Sequence, residues 1–167
     1  MLIDELDRVR DESAKYWSAF SPTEFFAKLG EAWSPAENVR HLAKSTRAVT
    51  KGLTMPRLVL RLMFGTTRRA SHSYDEVRAR YLALPTREAG AYAPSSRAVT
   101  DQTTCIRHLE DADRDLAAAL ARWSDRDLDR YQLPHPLLGK LTVREMVLFT
   151  VYHHRHHIEG VERRRRG

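Results

Sequence analysis

The sequence marks where its helices begin with a repeated four-residue pattern, and this pattern limits the possible folds more than any other feature. A serine or threonine precedes a glutamate by three residues at positions 21–24, 34–37, 73–76 and 142–145. In such a capping box, the hydroxyl and the carboxylate pair with amides that a first helical turn leaves free. The first two boxes also carry proline at the first helical position, where helices tolerate it. The pattern therefore predicts a largely helical chain.

Apolar residues recur every three or four positions in four long segments, which predicts four amphipathic helices. Their approximate ranges are 2–19, 35–51, 95–123 and 142–165. Shorter helical segments are expected near 22–29 and 74–84. Helices of this number and length form a bundle, so we predict an all-α, four-helix bundle in a single domain spanning residues 1–167.

The second and third long helices are separated by an irregular region, residues 54–94. A long crossover is expected where two consecutive helices of a bundle are parallel neighbours. The region contains an apolar patch at residues 58–64, which could contact a membrane or a partner subunit. We favour the interpretation that this patch covers one end of the bundle.

Composition narrows the functional classes. One cysteine, Cys105, excludes an intrachain disulfide and is typical of a reducing compartment. No apolar run reaches membrane-spanning length, and the first residues alternate in charge, so we expect a cytoplasmic protein without membrane contact. Of the net charge of +6, four positive charges lie at residues 163–166. Arginines at the C-terminal end of a helix interact favourably with the helix dipole, so this run of charge does not require a nucleic-acid partner. No stretch interleaves basic residues with aromatic ones, as proteins that bind single strands do, so we do not expect such a partner.

A cluster of histidines in the fourth helix is the strongest functional signal. His153, His154, His156 and His157 lie within five residues. Residues three or four apart share a helix face, so His157 can act with either His153 or His154 on one metal ion. Both pairs remain open from geometry, and the first is preferred because it lies at the rim of the apolar stripe. His156 points away from that stripe and is expected at the surface.

A third ligand is needed, because a catalytic zinc-type site uses about three protein ligands and one open position. His41 on the second helix is the candidate. It lies at the edge of its apolar stripe beside Asn38, Ser45 and Gly52, which leave room for an ion and a ligand. His135 precedes the fourth helix and could support the site, act as a general base or be a plain loop residue. Phosphate-binding loops and hydrolase motifs are absent.

Three segments together resemble the DinB-like superfamily of four-helix bundles, which includes bacterial thiol-dependent S-transferases. The first is Trp-Ser-Pro-Ala-Glu at residues 33–37, followed by His41. The second is His-Pro-Leu-Leu-Gly-Lys-Leu-Thr at residues 135–142, which leads into the last helix. The third is the pattern of a tyrosine followed by two histidines four apart, at residues 152–157. Their order and placement span nearly the whole chain.

The resemblance implies that His41, His153 and His157 bind a divalent metal, commonly zinc or nickel, in a cytoplasmic protein that is often a homodimer. Members with an assigned activity transfer a low-molecular-weight thiol, such as bacillithiol or mycothiol, to an electrophilic small molecule. His135 and His154 are then candidate proton shuttles in catalysis. The chain departs from many relatives at Gly160, where they carry a polar side chain. Two other hypotheses are a non-catalytic stress protein that binds metal or small molecules, and a nucleic-acid-associated protein.

Overall fold

The structure is a computed structural model that describes residues 2–85, 93–94 and 101–166. These residues form eight helices and one two-stranded hairpin. In chain order the elements are α1 (Leu2–Ser18), α2 (Pro22–Phe26), α3 (Pro35–Thr54), α4 (Arg57–Phe64), α5 (Tyr74–Leu82), α6 (Gln102–Leu120), α7 (Asp125–Arg130), β1 (Gln132–His135), β2 (Gly139–Thr142) and α8 (Val143–Arg166).

The four long helices α1, α3, α6 and α8 form the predicted bundle. Helices α6 and α8 each pack against both α1 and α3. Near the start of α6, the carbonyl of His108 accepts a hydrogen bond from Arg47, and Trp123, just beyond α6, donates to the carbonyl of Leu53. A later residue of α3 thus contacts a later residue of the α6 segment, so the two helices are parallel. This confirms the four-helix bundle with its long crossover between the second and third long helices.

All four predicted capping boxes are formed. Ser21, Ser34 and Ser73 each accept a hydrogen bond from the glutamate amide three residues later, and that glutamate side chain accepts one from the serine amide. At the start of α8 the amide of Thr142 donates to Glu145 Oε2 at 2.8 Å, and the amide of Glu145 donates to Thr142 Oγ1 at 3.2 Å. Local sequence therefore determines where these helices begin.

Replacing Ser34 with alanine tests this local control. Ser34 is buried and caps α3, the helix that carries His41. We expect the change to lower the free energy of unfolding by about 1 kcal/mol, the usual contribution of an N-cap hydroxyl. Urea denaturation measures the difference. The matched change Ser18→Ala removes an exposed hydroxyl at the end of α1 and should leave stability nearly unchanged. Equal effects of the two changes would contradict the capping role.

Three elements differ from the sequence predictions. Helix α4 lies in the region predicted to be irregular, α7 was not predicted, and the predicted loop before the last helix is the antiparallel hairpin β1–β2, which pairs His135 with Gly139. Helix α4 begins after Pro56 without a side-chain cap, so the capping signal is missing there. Residues 95–100 of the predicted third helix lie outside the described residues.

The apolar patch covers the bundle only in part. Leu60 on α4 is fully buried, whereas Leu58, Leu62 and Met63 are 57%, 75% and 58% exposed. Helix α4 therefore packs Leu60 and the partly buried Phe64 against the core and presents a second apolar face to the outside. Among the described residues, no helix is both long enough and apolar enough to cross a membrane.

The core consists of two apolar clusters, one toward each end of the bundle. Between them each long helix contributes one buried polar residue at a similar level: Ser13, Thr46, Asp113 and His154. His41 on α3 and His153 on α8 are also buried polar residues.

Candidate metal centre

The side chains of His41, His153 and His157 converge on one point between α3 and α8. The Nε2 atom of His153 lies 3.1 Å from Nε2 of His41 and 3.0 Å from Nε2 of His157. All three ligand atoms lie within 4.8 Å of one another. His41 and His153 are buried, and His157 is half-buried. Of the two histidine pairs left open by the sequence, the structure brings 153 and 157 together with His41.

The spacing of these nitrogen atoms fits a first-row divalent metal. Bonds of about 2.0–2.1 Å place neighbouring ligand atoms about 2.9 Å apart in an octahedral site and about 3.3 Å apart in a tetrahedral one. The separations of His153 Nε2 from the other two Nε2 atoms, 3.0 and 3.1 Å, fall between these values. The donor set consists of imidazole nitrogens, which suit zinc and nickel. The residues present can therefore hold either ion.

Asn38, one turn before His41 on α3, fixes the orientation of His157. Its amide nitrogen donates to the carbonyls of Ser34 and Trp33, at 2.8 and 3.3 Å, so its Oδ1 atom must accept. His157 Nδ1–H donates to this oxygen at 2.6 Å. A neutral imidazole carries only one proton, so Nε2 of His157 presents its lone pair to the other two histidines. This is the outer hydrogen bond that metal-binding histidines commonly make.

Two of the three imidazoles are held in the neutral state. Burial lowers the pKa of His153 well below its usual value, and the neighbouring imidazoles of His157 and His41 lower it further. The pKa of His157 is also lowered, first by burial and then by His41, His156 and other nearby groups. Neutral imidazole is the form that binds metals, so little proton release is required near pH 7.

A cavity of about 710 Å³ opens beside the three histidines. Its size suits a small-molecule ligand. The walls are mainly apolar and come largely from α3, the hairpin and α8. The apolar lining includes Trp33, Val49, Met55, Phe64, Leu133, Leu137, Met146 and Phe149. Trp33 stacks parallel to the His157 ring with a centroid distance of 6.3 Å, so the cavity wall and the histidine cluster are continuous.

His135 reaches this cavity from the end of β1, as one of the sequence interpretations anticipated. Its Nδ1 atom accepts hydrogen bonds from the amides of Leu137 and Leu138, at 3.2 and 3.0 Å. Burial lowers its pKa to about 4. At neutral pH the ring is therefore uncharged with its proton on Nε2, and it can donate a hydrogen bond. With Nδ1 occupied, this geometry suits a donor better than the predicted proton shuttle.

His154 lies on the other side of α8. Its Nδ1 atom is 2.9 Å from Ser13 Oγ and its Nε2 atom is 3.4 Å from Asp113 Oδ1, both in the polar level of the core. Its side chain is fully buried and is absent from the cavity lining. The structure therefore does not bring this predicted proton shuttle to the candidate site.

The prediction that His156 lies at the surface is wrong. His156 is half-buried and lines the cavity, and its Nδ1 atom lies 3.2 Å from the Tyr152 hydroxyl. Its ring also packs edge-on against Tyr81 of α5. A helical wheel of α8 alone cannot reveal this neighbour, because α5 lies in the long crossover and packs on the outer side of the helix.

Gly160 leaves space that an arginine fills. Gly160 is buried, and its carbonyl accepts a hydrogen bond from Arg164 Nη1 at 2.9 Å. A Cβ atom at position 160 would lie 3.3 Å from that nitrogen. The guanidinium thus folds back along α8 and joins the cavity lining. Where the resemblance leads us to expect a polar side chain at position 160, this chain has the charge of Arg164 nearby.

The fold and the site together define a four-helix bundle in which three histidines from two helices meet at an apolar cavity. The chain belongs to the DinB superfamily, since the sequence profile of that family matches residues 5–160.

Among solved structures, the chain is similar to TT2238, described as a four-helix bundle protein. The identity is 19% and the TM-score is 0.60, over 96% of this chain and 95% of that one. At this identity the likeness supports the fold alone. Among curated proteins, none matches the chain.

Proposed function

We propose that the protein binds one divalent metal ion, zinc or nickel, through His41, His153 and His157. We further propose that it transfers a low-molecular-weight thiol to an electrophilic small molecule. The observation that carries the proposal is the convergence of three imidazole nitrogens within 4.8 Å of one another in the lining of an apolar cavity. Three protein ligands leave a coordination position for a substrate, as catalytic sites require.

A divalent ion at this position would lower the pKa of a coordinated thiol, so that the thiolate is available at neutral pH. Four residues of the chain would define the surroundings of the ion. Asn38 holds His157 with Nε2 toward the site. Phe149 stacks on His153 with a centroid distance of 5.2 Å and, with Trp33, provides apolar surface beside the histidines. His135 supplies a neutral hydrogen-bond donor in the cavity wall.

The arginine tail gives little support to the nucleic-acid hypothesis. Three of its four guanidinium groups lie within 4 Å of carboxylates of this chain: Arg163 with Glu159, Arg165 with Glu24 and Arg166 with Glu162. These ion pairs reduce the charge that the tail presents to a phosphate backbone. The homodimer expected from the resemblance stays a prediction.

An activity screen tests the proposed reaction. Protein loaded with zinc or nickel is mixed with a panel of cellular thiols and a chromogenic electrophile, and thiol–electrophile conjugation is followed by absorbance. We expect metal-dependent conjugation that is lost after chelation and restored by added metal. If the protein binds the metal in a 1:1 ratio but accelerates no conjugation, the non-catalytic binding protein becomes the better hypothesis.

Asn38→Ala tests the outer hydrogen bond of the proposed centre. The change removes the oxygen that fixes His157, and removal of such a group typically weakens metal binding about 10- to 100-fold. Competition against a chromophoric chelator measures the dissociation constant. Asn38→Asp is the matched control, since it keeps an acceptor oxygen at the same position and should bind zinc at least as tightly as the alanine variant. Identical affinities of the wild type and Asn38→Ala would contradict this role.

A further inference from the structure

Three charged side chains line the cavity within the described part of the chain: Glu31, Lys51 and Arg164. Lys51 lies ten residues beyond His41 on α3, about 15 Å along the helix axis. Arg164 is bent back over Gly160 by its hydrogen bond to that carbonyl, toward the turn that carries His157.

Arg164 also differs from the rest of the tail. Its three neighbours in the tail each have a carboxylate within ion-pair distance, whereas no described carboxylate lies within that distance of Arg164. Arg164 and His157 line the same cavity, so this guanidinium and the three-histidine group face one ligand space. A cation held in the wall of an apolar cavity, with no carboxylate of the described residues at ion-pair distance, favours an anionic ligand.

We propose that Arg164 recognises an anionic group, such as a carboxylate, on the small molecule that occupies the cavity. This inference rests on the proposed function, since it assumes that another atom of the same molecule lies at the three-histidine centre. Glycine at position 160 makes room for this position of Arg164, because a Cβ atom there would lie only 3.3 Å from the guanidinium. The cavity would thus select acidic thiols over neutral ones of the same size.

The test uses the full-length protein loaded with cobalt(II), whose charge-transfer absorption reports a bound thiolate. The probes are 3-mercaptopropionate and its neutral amide, 3-mercaptopropionamide, titrated at equal ionic strength. A charge-assisted hydrogen bond corresponds to about a 10- to 100-fold difference in dissociation constant, so we expect the acid to bind more tightly by that factor. Arg164→Gln should abolish this preference and leave the affinity for the amide unchanged.

Arg163→Gln is the matched control, since it removes the same charge one residue away and should retain the preference. Equal binding of acid and amide by the wild type would overturn the inference and leave the proposed function standing. The same holds if Arg163→Gln and Arg164→Gln reduce the preference equally, because general charge would then explain it. A wild-type protein that binds cobalt but neither thiol would overturn both proposals.

Discussion

Replacing His153 with alanine is expected to abolish tight divalent-metal binding. The Nε2 atom of His153 is the central one of the three, 3.1 Å from that of His41 and 3.0 Å from that of His157. Its loss leaves two imidazoles and no defined site. We expect the affinity for zinc to fall by more than about 100-fold, beyond the usual effect of removing an outer hydrogen bond.

Thermal unfolding with and without zinc measures this loss. For the wild type, free zinc at about 1,000 times its dissociation constant adds about 4 kcal/mol of stability. For a chain of this length that corresponds to a rise in Tm of roughly 10 °C. His153→Ala should show almost no rise. His156→Ala is the matched control, because His156 lines the same cavity without belonging to the three-histidine group. A loss of the zinc effect in His156→Ala but not in His153→Ala would refute the assignment.

Replacing Glu145 with glutamine is expected to cause the largest loss of stability. Glu145 is completely buried, and both of its carboxylate oxygens accept hydrogen bonds. Arg69 donates to them at 2.5 and 2.7 Å, and the amides of His72 and Thr142 donate at 2.8 Å. Through Arg69 and His72, the carboxylate therefore links the crossover region to the start of α8. The Arg69 side chain is 36% exposed and stays partly solvated in the variant. We therefore expect a loss of about 2–3 kcal/mol, below the roughly 3–5 kcal/mol of a fully buried ion pair.

The pH dependence of this effect follows from the pKa of Glu145. Burial alone would raise this pKa, but the hydrogen bonds from Arg69, His72 and Thr142 outweigh burial and lower it from 4.5 to about 2. Because the folded-state pKa is depressed, the stabilisation is complete above about pH 4.5 and is lost as the pH falls toward 2. This shift in pKa corresponds to about 3 kcal/mol in the free energy of unfolding at neutral pH, and less than half of that stabilisation remains at pH 3.

Denaturant unfolding of the wild type and Glu145→Gln at pH 7 and pH 3 tests both statements. The difference in unfolding free energy should be large at pH 7 and clearly smaller at pH 3. Glu76→Gln is the matched control, since Glu76 fills the same capping position at the start of α5 but is exposed. Glutamine also serves in a capping box, so this change should have little effect. A pH-independent difference for Glu145→Gln would contradict the account.

The sequence predicts those parts of the fold that depend on neighbouring residues. The four capping boxes succeed because each hydrogen bond forms within one helical turn. Helix α4 is missed because Pro56 provides no side-chain cap. The hairpin is missed because its strands are only four residues long, and Pro134 lies within the first. Short strands of this kind depend on packing against the bundle rather than on local preference.

For the candidate site, too, the sequence predicts the local features and misses those that depend on tertiary packing. His153 and His157 are placed correctly relative to each other because helical periodicity alone puts them one turn apart. Periodicity does not reveal which helix packs on each side of α8, so the positions of His154 and His156 were not predictable. The buried carboxylate of Glu145 and its partners Arg69 and His72 are more than 70 residues apart in sequence. Such contacts arise only from the tertiary fold.

We propose above that His41, His153 and His157 form a single divalent-metal centre. The most direct measurement is an anomalous difference map at the zinc absorption edge from crystals of the wild-type protein grown with one equivalent of zinc. We expect one peak per chain, bonded to the Nε2 atoms of these three histidines at about 2.0–2.1 Å. A map with no peak among the three rings, or with zinc bound to other residues, would contradict it.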